Sequence, residues 1–360
     1  SSRSRATSRS ACARSTPESG AAWTVPRSPK SSNSGPPPTS TTGSKRRCAG
    51  RRGSRRDRLV PSSLDSASPE TAARACSRAV GAPPVTAQLL AVGELSPGRV
   101  TLLLRAPELI APLRPGHALH LVHAEAGGYR LRRVAPVTKV DVLAGHLEVA
   151  LLPRVDGGRD SLAELAPGAA LSVVGPIGQP IEIDRGSERV LIVCDVEGFA
   201  WVRLLATSMI AAGRSVVLLV EARSAAELPA AALLPDEVEI AVATLDGSLG
   251  HRGGAADRAS DYLDWADQVF ASGERGLLNA VTQAVRAAST IDRTTSKGRR
   301  RSRRAGSAAW LQLLVSHEIG CGSGVCGGCT FQSAHGSIRL CREGPAVSPP
   351  GLPDGTRSEA

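Results

Sequence analysis

Short hydrophobic runs fill the chain from about residue 86 onward, and their spacing changes near residue 183. In the first part, apolar runs alternate with turns that contain Gly or Pro. Six runs have strand character: 85–95, 99–107, 117–126, 131–140, 146–155 and 170–176. Short strands at regular spacing are typical of a small antiparallel barrel or sandwich. We therefore predict an antiparallel β domain over residues 86–185.

After Ile183 the pattern indicates alternating strands and helices. The run at 189–196 predicts a buried strand, 199–213 has apolar residues at helical spacing, and 215–223 predicts the next strand. This order implies a parallel sheet covered by helices. Two more strands and a helix are predicted at 238–248, 266–273 and 276–289. We therefore predict an α/β domain over residues 186–290.

Positive charge is concentrated at the N-terminal end. Residues 1–85 hold 16 of the 44 Lys/Arg and 4 of the 33 Asp/Glu, which leaves 28 and 29 for the rest of the chain. This Ser/Arg/Pro-rich tail has too few apolar residues to fold, so we predict disorder. A second basic segment at 291–308 is predicted to be a flexible insertion, and 351–360 a short tail. We expect both basic segments to be solvated and to bind no specific nucleic acid.

The hydrophobic runs also bear on location. None approaches the roughly 18 to 20 apolar residues that a membrane-spanning helix needs. No apolar core follows the first arginines, so a secretory signal is not expected. We therefore predict a cytoplasmic protein without a membrane partner.

Four cysteines lie within 21 residues near the C-terminal end. Cys321, Cys326, Cys329 and Cys341 are separated by four, two and eleven residues. This spacing is the plant-type arrangement for a 2Fe-2S cluster. Structural zinc is the alternative, but zinc sites usually contain two C-x2-C pairs, and only one is present. We predict a 2Fe-2S module over residues 309–350, and we interpret Cys194 in its apolar run as a core residue.

A family resemblance covers about residues 86–350. RPGHALHLV is similar to a P-G-Q-F strand, YRLRRVAPV to an L-R-R-P-x-S flavin motif and VVGPIGQP to a G-P-L-G-x-G segment. LIVCDVEG stands at a Gly-rich nucleotide turn, TLDGSLGHRG resembles T-D-D-G-S-x-G-x-x-G, and FASGERGLLNAV resembles Y-A-C-G-P-x-P-M-x-x-A-V. HEIGCGSGVCGGCTF and LCREGPAV match an iron-sulfur module. Together these motifs resemble the electron-transfer subunit of dihydroorotate dehydrogenase B, within the ferredoxin-reductase-like flavoproteins.

The resemblance implies an FAD-binding β-barrel, a nicotinamide-nucleotide domain of α/β type and a C-terminal cluster module. It implies FAD contacts from Arg132, Arg133 and Gly158. It implies NAD(P)H contacts from a second set: Gly198, Asp246, Gly247 and Ser248. It also implies a hetero-oligomer with a dihydroorotate dehydrogenase catalytic subunit in pyrimidine biosynthesis. The cofactors would carry the electrons, so we assign no side chain as catalytic.

Several residues depart from the family motifs. At the flavin motif, Pro136 replaces a Ser and Arg159 a Thr. At the nucleotide turn, Asp195 and Glu197 introduce two carboxylates that should repel phosphate. Ser272 and Glu274 likewise stand in place of the Cys and Pro of a Cys-Gly-Pro segment. We therefore expect FAD binding to be weakened and direct NAD(P)H oxidation to be doubtful.

Two other functions are compatible with the same features. One is a reductase subunit of a hydrogenase or of a ferredoxin-NAD(P) complex. The other is a non-catalytic iron-sulfur electron wire or sensor that has lost nucleotide binding. The substitutions at Asp195, Glu197, Ser272 and Glu274 favour the wire or sensor.

Overall fold

The computed structural model describes residues 83–124, 130–154, 160–292, 311–333 and 336–347. The predictions for most of the N-terminal tail, for Gly158 and Arg159, for most of the basic insertion and for residues 351–360 fall outside these ranges. The described residues divide into two compact units. One contains Gly93–Thr101 and Ile183–Gln312, and the other contains residues 83–92, Leu102–Glu182 and 313–347.

The first described strands form a closed antiparallel barrel. Its strand order is β1-β2-β5-β4-β3-β6. The strands are β1 (Val85–Ser96), β2 (Arg99–Arg105), β3 (Ala118–Ala124), β4 (Arg130–Asp141), β5 (His146–Ala150) and β6 (Ala170–Ile177). Alternating positions such as Ala87 and Leu89 of β1 are fully buried whereas Gln88 between them is exposed, as expected for a strand with one face toward a core. The predicted β domain is confirmed as a barrel.

The unit that contains Ile183–Gln312 is built around parallel strands. Its elements are β7 (Arg189–Asp195), α2 (Phe199–Ala211), β8 (Ser215–Ala222), β9 (Glu239–Thr244), β10 (His251–Arg252), α3 (Ala255–Leu263), β11 (Gln268–Ser272) and α4 (Arg275–Asp292). Within this unit the strand order is β10-β9-β8-β7-β11, and each pairing is parallel. The central strand β7 is buried from Val190 to Cys194, as its unbroken apolar run predicts. The α/β prediction is confirmed.

Two elements of this unit were not predicted. Helix α3 buries Ala255, Ala259, Tyr262 and Leu263, which have helical spacing. Two of these are alanines, whose small apolar area gives a weak hydrophobic signal. Strand β10 has two residues, too few for a period-2 pattern.

The C-terminal segment adds short elements. Strand β12 (Leu311–Leu314) pairs antiparallel with β15 (Ala346–Val347) through Leu313 and Leu314. Strands β13 (Thr330–Ser333) and β14 (Gly336–Arg339) pair antiparallel, and helix α5 (Leu340–Glu343) follows directly. One further short helix, α1 (Pro107–Ile110), precedes β3. None of the helices in the described ranges is both long and apolar enough to cross a membrane.

A buried histidine lies just before β3. His117 is 5% exposed, and its Nδ1 accepts a hydrogen bond of 3.1 Å from the backbone N–H of Arg114. An Nδ1 that accepts a hydrogen bond carries no proton, so the ring is neutral. Burial, reinforced by the nearby Arg114 charge, lowers the pKa of His117 to about 4.

We expect this histidine to make the barrel sensitive to acid. Its folded pKa lies below its unfolded value of about 6.5, so the stabilisation is complete above pH 6.5 and is lost as pH falls toward 4. The loss should reach about 3 kcal/mol, at 1.36 kcal/mol per pKa unit. In His117→Asn, whose amide oxygen can also accept from the Arg114 N–H, this loss should disappear. Urea unfolding of both proteins between pH 7 and 4 measures it, and parallel pH profiles would refute the assignment.

Candidate iron-sulfur and nucleotide sites

The four clustered cysteines come from two short segments. Cys321, Cys326 and Cys329 lie in the loop between β12 and β13, and Cys341 lies in α5. All four are free thiols, and Cys329 and Cys341 are buried whereas Cys326 is exposed. The backbone N–H of Leu340 donates to the Cys329 carbonyl at 3.1 Å. This bond holds the segment of the fourth cysteine beside the third.

The four sulfurs lie close enough to influence one another: Cys326 affects the pKa of Cys321, and Cys329 and Cys321 affect the pKa of Cys341. Four cysteine sulfurs, three from one loop and one from a separate helix, are the donor set of a plant-type 2Fe-2S cluster. The residues present therefore fit the iron-sulfur cluster.

Cys321 and Cys341 differ in electrostatics. Partial burial acts to raise the pKa of Cys321, but hydrogen bonds from the hydroxyl and N–H of Ser323 and from Cys326 outweigh it and lower the pKa to about 5. Burial raises the pKa of Cys341 to about 12, together with the hydrogen bond and charge of Cys329 and the charge of Cys321. Cys321 is thus readily available as a thiolate, whereas Cys341 needs the positive charge of a metal to lose its proton.

Backbone N–H groups of the loop point at sulfur atoms. The N–H of Ser323 donates to the Cys321 sulfur and the N–H of Gly328 to the Cys326 sulfur, both at 3.4 Å. Such bonds stabilise negative charge on sulfur and raise a cluster's reduction potential.

A histidine of the barrel holds the first cysteine segment. His120 on β3 is 2% exposed, and its Nε2 lies 2.7 Å from the Ile319 carbonyl. A carbonyl can only accept, so Nε2 donates. The same ring limits the loop at Gly322, which has φ +70° and where a Cβ would lie 3.1 Å from the imidazole. The loop therefore requires glycine at this point.

Two residues directly after β6, Gly178 and Gln179, hold the segment of the fourth cysteine. The N–H of Gly178 donates to the Cys341 carbonyl at 3.1 Å, and the N–H of Gln179 to the Gly344 carbonyl at 2.6 Å. The Gln179 side chain also donates to the Arg342 carbonyl at 2.8 Å. Both cysteine segments are thus fixed to the same barrel.

The two predicted flavin arginines are neighbours on β4 but differ in environment. Arg132 is exposed. Arg133 is half-buried, and it donates to the Asp160 carboxylate at 2.9 Å and to the Leu152 carbonyl at 2.6 Å. These bonds engage two of the five N–H donors of the guanidinium and fix its plane. An arginine held in this way fits a phosphate group of FAD, and Gly158 lies outside the described residues.

The predicted nucleotide turn contains a carboxylate that already binds backbone amides. Asp195 is the last residue of β7, and its Oδ1 accepts from the Gly198 N–H at 2.7 Å. Its Oδ2 accepts from the Glu274 N–H at 2.6 Å. These amides lie at the starts of α2 and α4, where a phosphate would bind. The residues present therefore do not fit a dinucleotide diphosphate.

The predicted Asp246-Gly247-Ser248 segment forms a turn after β9. Asp246 Oδ1 accepts from the N–H and the hydroxyl of Ser248, at 2.9 and 2.6 Å. These bonds lower the pKa of Asp246. The Ser248 hydroxyl in turn accepts from the Ala225 N–H at 2.8 Å. The described contacts of this segment are those of a turn.

Two residues of these sites were missed by sequence reasoning. His120 could have been found, because it is a polar residue within the apolar run of β3. Asp160 gave no signal, because its pairing with Arg133 joins residues 27 positions apart on different elements.

The comparisons with known proteins agree with the cysteine geometry. Residues 317–348 match the iron-sulfur cluster binding domain of dihydroorotate dehydrogenase B. The dihydroorotate dehydrogenase B (NAD(+)) electron transfer subunit of Desulforamulus reducens is 25% identical over 267 residues, which are 72% of this chain and 94% of that protein. The subunit of the same name from Shouchella clausii is 27% identical over 239 residues, 64% and 83% of the two chains. The predicted resemblance and the iron-sulfur module are confirmed.

Solved structures confirm the fold. A structure of an NADH-dependent reduced ferredoxin-NADP oxidoreductase superposes with a TM-score of 0.57 at 19% identity, over 73% of this chain and 87% of that chain. An intact type IV self-sufficient cytochrome P450 monooxygenase superposes with a TM-score of 0.51 at 16% identity, over 74% and 40%. The barrel and α/β architecture is therefore of the ferredoxin-reductase type.

Loss of one buried cysteine should remove the cluster. We expect Cys329→Ser, made in protein purified without oxygen, to lose most of its bound iron and sulfide, because one of four ligands is gone. Cys194→Ala is the matched control, since Cys194 is buried in β7. Iron and sulfide analysis with visible absorption measures the effect, and equal iron in both variants would exclude Cys329 as a ligand.

The histidine that holds the cysteine loop should affect how long a cluster is retained. His120→Leu leaves the buried Ile319 carbonyl without its donor, which costs about 1–3 kcal/mol. We expect faster loss of the cluster to a chelator. His120→Gln, whose amide N–H can still donate, should lose the cluster more slowly than His120→Leu. Identical rates in both variants would show that the hydrogen bond does not support the loop.

Proposed function

We propose that this chain is the electron-transfer subunit of a type B dihydroorotate dehydrogenase, and that it works in pyrimidine biosynthesis. The observation that carries this proposal is the cysteine quartet, whose segments are attached to a ferredoxin-reductase-type barrel. The two relatives named dihydroorotate dehydrogenase B (NAD(+)) electron transfer subunit align with this chain over 94% and 83% of their own length.

The chain's own residues would bind and orient two redox groups. Cys321, Cys326, Cys329 and Cys341 ligate the 2Fe-2S cluster. Arg132 and Arg133 hold FAD phosphates, with Arg133 oriented by Asp160. When bound, FAD exchanges electrons in pairs or singly, and the cluster exchanges them singly. No side-chain acid or base is assigned, because the protein's task is to position these groups.

The cluster loop offers a surface for the partner. Val325 lies directly before Cys326 and is 85% exposed, and Cys326 is itself exposed. A partner that covers this loop would bury Val325 and remove its apolar area from water. We place the catalytic subunit of a hetero-oligomer against this loop.

Three other elements of the proposal rest on the sequence. The domain limits are 86–185 for the barrel, 186–290 for the α/β domain and 309–350 for the cluster module. The cysteines are clustered as metal ligands rather than spread as a disulfide framework, which supports a cytoplasmic location. The assignment of Gly158 to FAD stays a prediction. The assignment of Gly198, Asp246, Gly247 and Ser248 to a nucleotide also stays a prediction of the sequence, and it is not part of the proposal, because Asp195 already binds the amides of that turn.

Electron transfer from dihydroorotate tests the proposed function. The purified chain, loaded with FAD and its cluster, is mixed without oxygen with a dihydroorotate-oxidising catalytic subunit of type B and then with dihydroorotate. We expect the reduced-cluster EPR signal to appear only when both subunits are present. Cys194→Ala should give the same signal, whereas Cys329→Ser should give none.

Other outcomes favour other functions. Reduction of the cluster by a hydrogenase or a ferredoxin, but not through the dihydroorotate-oxidising subunit, would identify the chain as a reductase subunit of another complex. A cluster signal that appears only with dithionite, in protein without a flavin band, would leave an iron-sulfur wire. Either result would refute the proposed pairing.

A charge placed beside the cluster should weaken the complex of the two subunits. We expect Val325→Asp to retain its iron and to bind the catalytic subunit about tenfold more weakly, because burial of a valine contributes about 1.5–3 kcal/mol. Val142→Asp is the matched control, since Val142 is 67% exposed on the turn between β4 and β5. Calorimetric titration compares them, and equal affinity of both variants would remove the loop from the interface.

A further inference from the structure

The amides at two helix starts are bound by a single side chain. The N–H of Gly198, at the start of α2, donates to Asp195 Oδ1 at 2.7 Å, and the N–H of Glu274, just before α4, donates to Oδ2 at 2.6 Å. Strands β7 and β11 are neighbours, with Cys194 opposite Ser272. One carboxylate therefore bridges the two turns that follow adjacent parallel strands.

This location is where parallel α/β sheets bind phosphates. Ligands collect beyond the carboxyl ends of the strands, and helix N-termini attract negative charge because their first N–H groups have no helical partner. A carboxylate that accepts from two such groups satisfies the donors that a diphosphate would use. Asp195 thus provides, from within the chain, the anion that this position favours.

The carboxylate also fills the space. Gly273 has φ +147°, and a Cβ built on it would lie 2.3 Å from Asp195 Oδ2. The carboxylate therefore occupies the space beside Gly273, and a phosphate cannot bind at that point while Asp195 is present.

Further acidic residues surround the same point. Burial raises the pKa of Asp195, its two backbone hydrogen bonds oppose that rise, and the charges of Glu274 and Glu197 add to it. Arg99 pairs with Glu197. Glu221 of β8 repeats the arrangement at α3, where it accepts from the Ala255 N–H at 2.6 Å. A diphosphate would enter a region of like charge.

We infer that Asp195 is a resident carboxylate which closes the dinucleotide position of this unit, so that the chain does not exchange electrons with NAD(P)H there. The inference is independent of the dihydroorotate partner, because it concerns binding in one unit. Combined with the proposed function, it means that electrons enter and leave through protein partners. The chain would then differ in its electron partner from relatives whose name includes NAD(+).

Nucleotide binding to the FAD- and cluster-loaded protein tests this inference. NADH and ADP are titrated without oxygen into wild type, Asp195→Gly and Asp195→Asn, with calorimetry as the readout. Wild type should bind neither at 1 mM. Asp195→Gly removes both the charge and the volume, and it should gain at least tenfold in affinity for both ligands. Asp195→Asn keeps the volume and should gain less.

The control is a carboxylate elsewhere in the same unit. Asp261 on α3 pairs with Arg258 at 2.8 Å and is not among the carboxylates that bind Gly198, Glu274 or Ala255, so Asp261→Asn should behave as wild type. If Asp195→Gly does not fold, the gain must appear in Asp195→Asn. Micromolar binding of NADH to wild type would overturn the inference, and so would the absence of any gain in both Asp195 variants. Neither result depends on the catalytic subunit.

Discussion

The cluster site depends on hydrogen bonds that attach two separate cysteine segments to one barrel. His120 of β3 binds the carbonyl of Ile319, two residues before the first ligand, and the two residues directly after β6 bind carbonyls at Cys341 and Gly344. A cluster needs four sulfurs fixed around an inorganic core, and short loops fix their own backbones poorly. A closed barrel has no free edges and deforms little. The position of the sulfurs is therefore set by the barrel's strands.

The cysteines differ in environment, and the difference bears on how the site holds a metal. Hydrogen bonds from Ser323 favour the thiolate of Cys321, whereas burial favours the thiol of Cys341. Each ligand must lose its proton to bind a metal, so the positive charge of iron is needed most at Cys341. Burial that is unfavourable for a free thiolate becomes favourable once it neutralises a metal, and it keeps water from the finished site.

The sequence was most informative where a local pattern determines structure. The apolar run of β7 and the spacing of the four cysteines are each contained in one short stretch of sequence. Both the strand and the cluster site were therefore predicted. The pairing of Arg133 with Asp160, the bond from His120 to Ile319 and the two amides at Asp195 join residues 27, 199 and up to 79 positions apart. No periodicity encodes such pairs. Helix α3 was not predicted for a different reason: its buried face is partly alanine, which gives a weak hydrophobic pattern.

Asp195 stands where the family motif has a glycine-rich turn. The sequence and the structure lead to different interpretations of this departure. From sequence, a carboxylate in a glycine-rich turn is only a repulsive charge, and a flexible turn could move it toward solvent. In the fold, both oxygens accept backbone N–H groups, and glycine at position 273 leaves the space that the carboxylate fills. Moving Asp195 away would break two hydrogen bonds to backbone N–H groups. The turn is therefore stable in its closed form, and a nucleotide would have to replace both hydrogen bonds before gaining any of its own.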